Sequence, residues 1–243
     1  MGPVTSPATA QSLPTVAELA EASARLEGAH PVEIVRCAVQ RMGVGGQVPS
    51  NILVTSSFQD AVLAHVVTQA VPGIEVVLLD TGYLFAETLW YAEHLRERFG
   101  INARIDKRDE TRIERDVWRT DTDACCAARK VVPLEDALRD KDVWITGLRR
   151  DDATTRANTP IISRDELRGV IKVNPLAALS NEDVSLYESL YELPDHPLRV
   201  HGYTSIGCWP CTRPTLPGED PRAGRWSGSG KTECGLHTPI KTM

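Results

Sequence analysis

The chain is poor in aromatic residues, which fill 5% of its 243 positions, and holds only three methionines. It also lacks a surplus of positive charge: 27 Lys and Arg stand against 33 Asp and Glu, for a formal net charge of -6. That balance argues against a general nucleic-acid binder, which needs excess cations facing phosphates. No stretch approaches the roughly 18 apolar residues that span a bilayer. The opening "MGPVTSPATAQSLPTVAELA" has neither the basic start nor the apolar run of a secretory signal. The expectation is a cytoplasmic protein with no nucleic acid and no membrane among its partners.

What the chain does have is enough apolar content, 42%, for a real core. "NILVTSSFQDAVLAHVVTQA" reads as a buried strand over Ile52–Val54, a polar loop and a buried helix. "GIEVVLLDTGY" repeats the logic, with a strand over Val76–Leu79 and a turn at Asp80, Thr81 and Gly82. A helix over Phe85–Phe99 follows, closed by Gly100. "NARID" and Val143–Thr146 are two more strands, with a helix from about Cys126 to Leu138 between them. Ser180 and Asp183 form a capping box at the start of another helix. Alternating strands and helices predict an α/β fold, a mostly parallel sheet flanked by helices. In such sheets ligands bind beyond the carboxyl ends of the strands. Those ends here carry Thr55–Asp60, Asp80–Gly82 and Gly147–Asp151.

Six cysteines stand at 37, 125, 126, 208, 211 and 234. In a cytosolic chain, metal or catalytic roles are favoured over disulfides. The adjacent Cys125 and Cys126, together with Cys208 and Cys211 in a C-x-x-C, make four thiolates suited to zinc or an iron–sulfur cluster. Two adjacent ligands sit awkwardly on a tetrahedral zinc. Cys37 shares an apolar helix face with Ile34, Val35 and Ala38 and reads as core. The "TSSFQD" loop, with Ser56 and Ser57, occupies the position of the pyrophosphatase loop of ATP-using adenylating enzymes, but has no glycine. A plain Ser/Thr helix cap explains it as well, and the missing glycines count against a tight triphosphate cradle. Lys130, Arg149, Arg150, Arg156, Arg222 and Arg225 are the cations near these motifs. Arg222 and Arg225 flank Ala223-Gly224 in a small-residue tail, free to grip a phosphate or sulfate. Cys234, bracketed by Lys231 and His237, is the candidate nucleophile, since nearby cations favour the thiolate.

Taken in order, "CCAARK", "CWPC", "PRAGRW" and "KTECGLH", with "LDTGYLFAET" and "ITGLRRDD", resemble the bacterial assimilatory adenylyl-sulfate (APS) reductases of the PAPS reductase family. The resemblance spans roughly residues 50–238. It implies an adenine nucleotide alpha hydrolase-like fold with a flexible C-terminal tail. It implies a 4Fe-4S cluster on Cys125, Cys126, Cys208 and Cys211, and Cys234 as nucleophile. Related PAPS reductases keep the ECGLH motif without the four cluster cysteines, so their presence points to APS. The implied reaction gives sulfite and AMP through an S-sulfocysteine, with thioredoxin as donor, in sulfate assimilation and cysteine biosynthesis. Substrate contacts are expected from Ser56, Ser57, Asp80, Thr81, Gly82, Gly147, Arg149, Arg156, Arg222, Arg225 and His237. Lys130, four residues after Cys126, is expected to couple cluster to substrate from one helix face. The expected organisation is a disordered segment over 1–15, a nucleotide- and cluster-binding domain over 16–217 and a flexible catalytic tail over 218–243. Homo-oligomerisation is left open. The rivals are PAPS reductase activity, an ATP-dependent adenylating or tRNA-thiolating enzyme, and a non-catalytic iron–sulfur or zinc module such as a redox sensor.

Overall fold

A computed structural model describes residues 14–42, 50–107 and 114–237. The expected disordered start up to residue 13, and the last six residues of the tail, lie outside the described residues.

Helix α1 (Val16–Arg25) opens on a capping box: Thr15 Oγ1 accepts from the Glu18 N–H, while Glu18 Oε2 accepts from the Thr15 N–H. Its buried Ser23 Oγ accepts from the backbone N–H groups of Ile161 and Ile162, at 3.1 and 3.2 Å, tying the helix to a sheet edge. Helix α2 (Pro31–Met42) buries Ile34, Val35 and Ala38 in the main core; Cys37 beside them is half-buried.

The sheet follows as β1 (Ile52–Thr55), β2 (Glu75–Asp80), β3 (Asn102–Lys107), β4 (Val143–Thr146), β5 (Ile162–Asp165) and β6 (Val170–Val173). Its order is β3-β2-β1-β4-β6-β5, parallel throughout except for β5 against β6. Helices α3 (Val62–Ala70) and α4 (Ala86–Phe99) link the first three strands, and Gly100 ends α4 in the left-handed conformation, φ 64°. The β5–β6 pair has no counterpart in the sequence reading. "ISRD" alternates too briefly to stand out, and as an edge strand it buries fully only Ile162. Helix α7 (Asn181–Leu190) starts at the expected Ser180–Asp183 capping box.

Between β3 and β4 the helix starts earlier than expected. Helix α5 (Thr122–Cys126) begins because Asp121 accepts the Asp123 and Ala124 N–H groups at 3.0 and 2.8 Å. A π-helical turn (Ala127–Val131) then leads into α6 (Val132–Leu138). Pro133 has no N–H to return to the carbonyl one turn back, which favours such a widening. Across this turn Cys125, Cys126, Arg129 and Lys130 all border one cavity. Among the described residues no helix is long and apolar enough to cross a membrane.

Candidate active site

The chain reverses its direction of sheet growth between β1 and β4, which pair along their whole length. The loops leaving their carboxyl ends diverge there, and a crevice opens. A cleft of about 1310 Å³, mouth included, occupies this point. Its floor is apolar: Leu63, Leu78, Leu84, Leu148 and Leu176. Its rim carries Ser56 and Ser57 from β1, and Gly147, Arg149 and Asp152 from β4. In the glycine-free loop Phe58 itself takes a positive φ of 50° and buries its ring completely, so ring burial offsets the backbone strain. Ser56 Oγ accepts the Phe58 N–H at 3.1 Å, which fixes the turn.

The tail forms the far wall of this cleft. Residues 218–237 have no regular structure beyond turns and one bridge, Thr212 to Arg225, yet they are packed down. Trp226 is 5% exposed, and Leu236 joins a second core cluster with Leu53, Val77, Leu134 and Trp144. His237 stacks on the Trp144 ring at 5.2 Å and 17°. Burial and the surrounding cations hold its pKa well below the ordinary histidine value, so the ring is neutral. Arg222, Arg225, Trp226, Cys234 and His237 all line the cleft, opposite the rim.

Asp80, Thr81 and Gly82, expected at the substrate, are not on this cleft. Asp80 Oδ1 accepts the Gly82 N–H at 2.8 Å, and the turn hands Thr81 to a second cavity. That cavity, a small one of about 350 Å³ with its opening to solvent counted in, is ringed by Cys125, Cys126, Cys208 and Cys211. Thr81 Oγ1 lies 3.2 Å from Cys208 Sγ, and Arg129 Nη1 donates to the Thr81 carbonyl at 2.8 Å. Tyr83, Trp118 and Trp209 pack edge-on against one another beside it. The four cysteines are unpaired. As bare thiols, burial pushes Cys125 and Cys126 up and Cys211 up to about 11. Such thiols lose their protons when a metal takes them. Among the described residues no three His, Cys, Asp or Glu side chains are set around a single ion. The sulfurs instead surround a space, with Arg129, Lys130 and Arg225 on its wall. A soft donor set facing three cations fits an anionic thiolate centre larger than one ion.

Lys130, Arg225 and Trp226 line both cavities and therefore form the partition between them. Among the described residues neither cation meets a carboxylate. Arg225 Nη1 donates to Ser205 Oγ and the Ile206 carbonyl at 3.2 and 3.3 Å, and its buried Nε has no partner. A Cβ on Gly207 would sit 2.2 Å from Arg225 Nη2, so a glycine is needed for the guanidinium to lie there. Burial disfavours the Lys130 ammonium, but the thiols of Cys208, Cys234 and Cys126 outweigh it and raise its pKa. Both side chains are half-buried, and two such cations side by side without a carboxylate favour an anion on either side.

The other arginines are differently engaged. Arg149 Nη2 donates to Asp152 at 2.6 Å and Asn181 at 3.1 Å. Arg156 donates from Nη1 to Asp152 at 3.1 Å, and from Nε and Nη2 to the two oxygens of Glu233 at 2.8 and 2.7 Å. Arg222 donates to the Thr232 carbonyl at 3.1 Å and reaches Glu233 at 3.4 Å. The sequence reading passed over Asp152 and Glu233. Asp152 stands three residues after Arg149 and four before Arg156, a spacing that was available as a signal. Glu233, next to Cys234, had no local partner to betray it.

The comparisons with known proteins agree with this architecture. The phosphoadenosine phosphosulfate reductase domain matches residues 50–214. An adenosine 5'-phosphosulfate reductase of Streptomyces coelicolor is 44% identical over 235 residues, covering 94% of this chain and 96% of that protein. One from Mycolicibacterium smegmatis is 41% identical, covering 91% of each. In fold, the chain resembles the phosphoadenylyl-sulfate reductase of Candida auris, with a TM-score of 0.69 at 22% identity, over 84% of this chain and 99% of that one. With the switch-point cleft, the paired cysteine motifs and a match along most of its length, the chain belongs to the phosphoadenosine phosphosulfate reductase domain family.

Proposed function

We propose that the protein reduces adenylyl sulfate to sulfite and AMP, through a covalent intermediate on Cys234, with a dithiol donor of the thioredoxin kind. The observation that carries this reading is the partition: two half-buried cations that meet no carboxylate among the described residues, Lys130 and Arg225, between a four-cysteine cavity and a cleft lined by Cys234. The apolar floor suits an adenine ring, and the serines and Gly147 backbone suit ribose and phosphate. The sulfate end then lies toward Lys130, Arg225 and Cys234.

Adenylyl sulfate is a mixed anhydride. The Cys234 thiolate attacks sulfur, an S–S bond forms, and the bridging S–O bond breaks, sending its electron pair to AMP. AMP is a good leaving group and needs little acid assistance. The difficulty is bringing one anion to another, and Lys130 and Arg225 meet it with fixed positive charge aimed at the sulfate oxygens. A donor thiolate next attacks the Cys234 sulfur and displaces sulfite. The donor's second thiol closes its disulfide, so two electrons pass from the dithiol to sulfur. The neutral His237, half-buried and stacked on Trp144, holds the residues after Cys234 against the second core cluster.

The residues of the second cavity fit a 4Fe-4S cluster, with Cys125, Cys126, Cys208 and Cys211 as its ligands. When bound, such a cluster supplies a fixed negative charge on the far side of Lys130 and Arg225. Those two side chains stay charged and oriented between it and the substrate.

The test is direct. Anaerobically purified protein is mixed with adenylyl sulfate, and in parallel with its 3'-phosphorylated form, and the peptides are analysed by mass before any thiol is added. One sulfonate on the Cys234 peptide, sulfite release on adding thioredoxin, and preference for adenylyl sulfate are expected. Cys234→Ser abolishes both signals. An adduct on Cys37 or on a cavity cysteine would overturn the assignment, and protein without iron would overturn the cluster.

A further inference from the structure

We infer that Glu233 is a positioning residue: its carboxylate, clamped by Arg156, holds the neighbouring Cys234 over the cleft. The inference rests on the proposed role of Cys234 as nucleophile.

Just before the cysteine, the tail makes two ionic contacts with the rest of the molecule. Lys231 meets Asp123 on α5, the helix that carries Cys125 and Cys126. Asp123 is 84% exposed, so solvent screens that pair. Glu233 is different. Its two oxygens take a fork of two bonds from Arg156, at 2.8 and 2.7 Å, and one from Thr155 Oγ1 at 3.2 Å. Both side chains of the pair are nearly buried, 14% and 12% exposed. A bidentate guanidinium–carboxylate pair fixes orientation as well as distance. Arg156 is itself braced by Asp152, which also holds Arg149, so the clamp is anchored to the loop that leaves β4. One residue beyond Glu233, Cys234 lines the cleft, whereas Glu233 does not. The carboxylate therefore lies behind the arginines, and it is the backbone step from 233 to 234 that presents the thiol.

This geometry divides the cations of the site by task. Arg156 is neutralised by two protein carboxylates, Asp152 and Glu233. Lys130 and Arg225 keep their charge for an anion. The clamp must also open, because a donor protein has to reach the same sulfur in the second half-reaction. A contact made of charge and hydrogen bonds, outside both apolar core clusters, can break and reform without disturbing the core.

The experiment compares wild type with Glu233→Gln, which keeps size and loses charge, and with Glu233→Asp, which keeps charge and shortens the reach. Three quantities are read: alkylation of Cys234 by iodoacetamide without substrate, single-turnover formation of the Cys234 sulfonate, and the Kd for AMP. In Glu233→Gln, alkylation should quicken about tenfold as the tail loosens, sulfonate formation should slow at least about tenfold, and AMP affinity should stay within about twofold. Glu233→Asp should fall between. Unchanged sulfonate formation in Glu233→Gln overturns the inference. So does AMP binding tightened tenfold, which would make Glu233 a competitor of the substrate anion. If wild type itself forms no sulfonate, the proposed function fails, and the alkylation rates still report whether the clamp exists.

Discussion

The sheet and the tail meet at the same cleft, but they are held by opposite means. The sheet side is fixed by burial: Val54, Val76, Val143, Ile145 and Ile171 are almost or wholly inaccessible and lie in regular strands. The tail, from Gly218 to His237, has no strand or α-helix and is held by Trp226, Leu236 and a few charged contacts. Burial of apolar surface is non-directional and cumulative, so it makes a scaffold that does not rearrange. Charge pairs are directional and reversible. The proposed nucleophile, which would close on a small molecule and later face a donor protein, suits the second kind of structure.

Crossing the two regions tests this contrast. The largest effect is expected from the scaffold. Leu95, inaccessible on α4, becomes alanine at a cost of about 2–5 kcal/mol from lost burial and a cavity. Thermal unfolding should register it as a marked fall in Tm, while turnover by the folded fraction stays near normal. A large loss of turnover at full folding would mean that the scaffold does more than hold the cleft.

Lys130→Ala addresses the partition. It should slow turnover about 100-fold, as the loss of one preorganised donor does, with iron content and Tm kept. Lys130 makes no hydrogen bond or ion pair among the described residues, so little native structure leaves with it. A near-normal rate would move the sulfate away from the partition.

The smallest effect sits where the loop after α7 packs on α4. His196 is inaccessible; the Leu198 N–H donates to Nδ1 at 3.1 Å, so the proton lies on Nε2, which donates to Thr88 Oγ1 at 3.1 Å. Burial, with Arg199 nearby, lowers its pKa to about 4. Between the ordinary value near 6.5 and 4, the unfolded chain takes a proton that the native state refuses, so stability falls as pH drops through that window. Urea titrations at pH 7 and 5 should differ by about 1–2 kcal/mol from this group. His196→Gln should lose that part of the difference. An unchanged pH dependence would show that the ring is solvated.

Legibility divides along the same line. Strands β1, β2 and β4, helix α4 with its glycine stop, and the capping box of α7 can be read because local pattern and local chemistry agree there. The four cavity cysteines and the cleft's serines can be found because motifs cluster them. What escapes is set by distant partners. Edge strand β5 exists because β6 and Ser23 accept it. Arg156 is held by Glu233, 77 residues away. The shared face of Cys126 and Lys130 is legible from their spacing, but the π turn that joins them is not. The tail expected to be loose does contain few apolar side chains, but Leu236 finds a core that only the folded sheet provides.

The aromatic wall of the cysteine cavity has an optical consequence. Trp118 and Trp226 line that cavity, and Trp209 packs against Trp118 at 5.9 Å between ring centres. A chain with few aromatic residues thus concentrates three of its five emitters at one place. Should the cavity take the proposed iron–sulfur chromophore, which would absorb where indole emits, the protein's own fluorescence would become a gauge of occupancy, brightening as iron is lost and dimming as it returns.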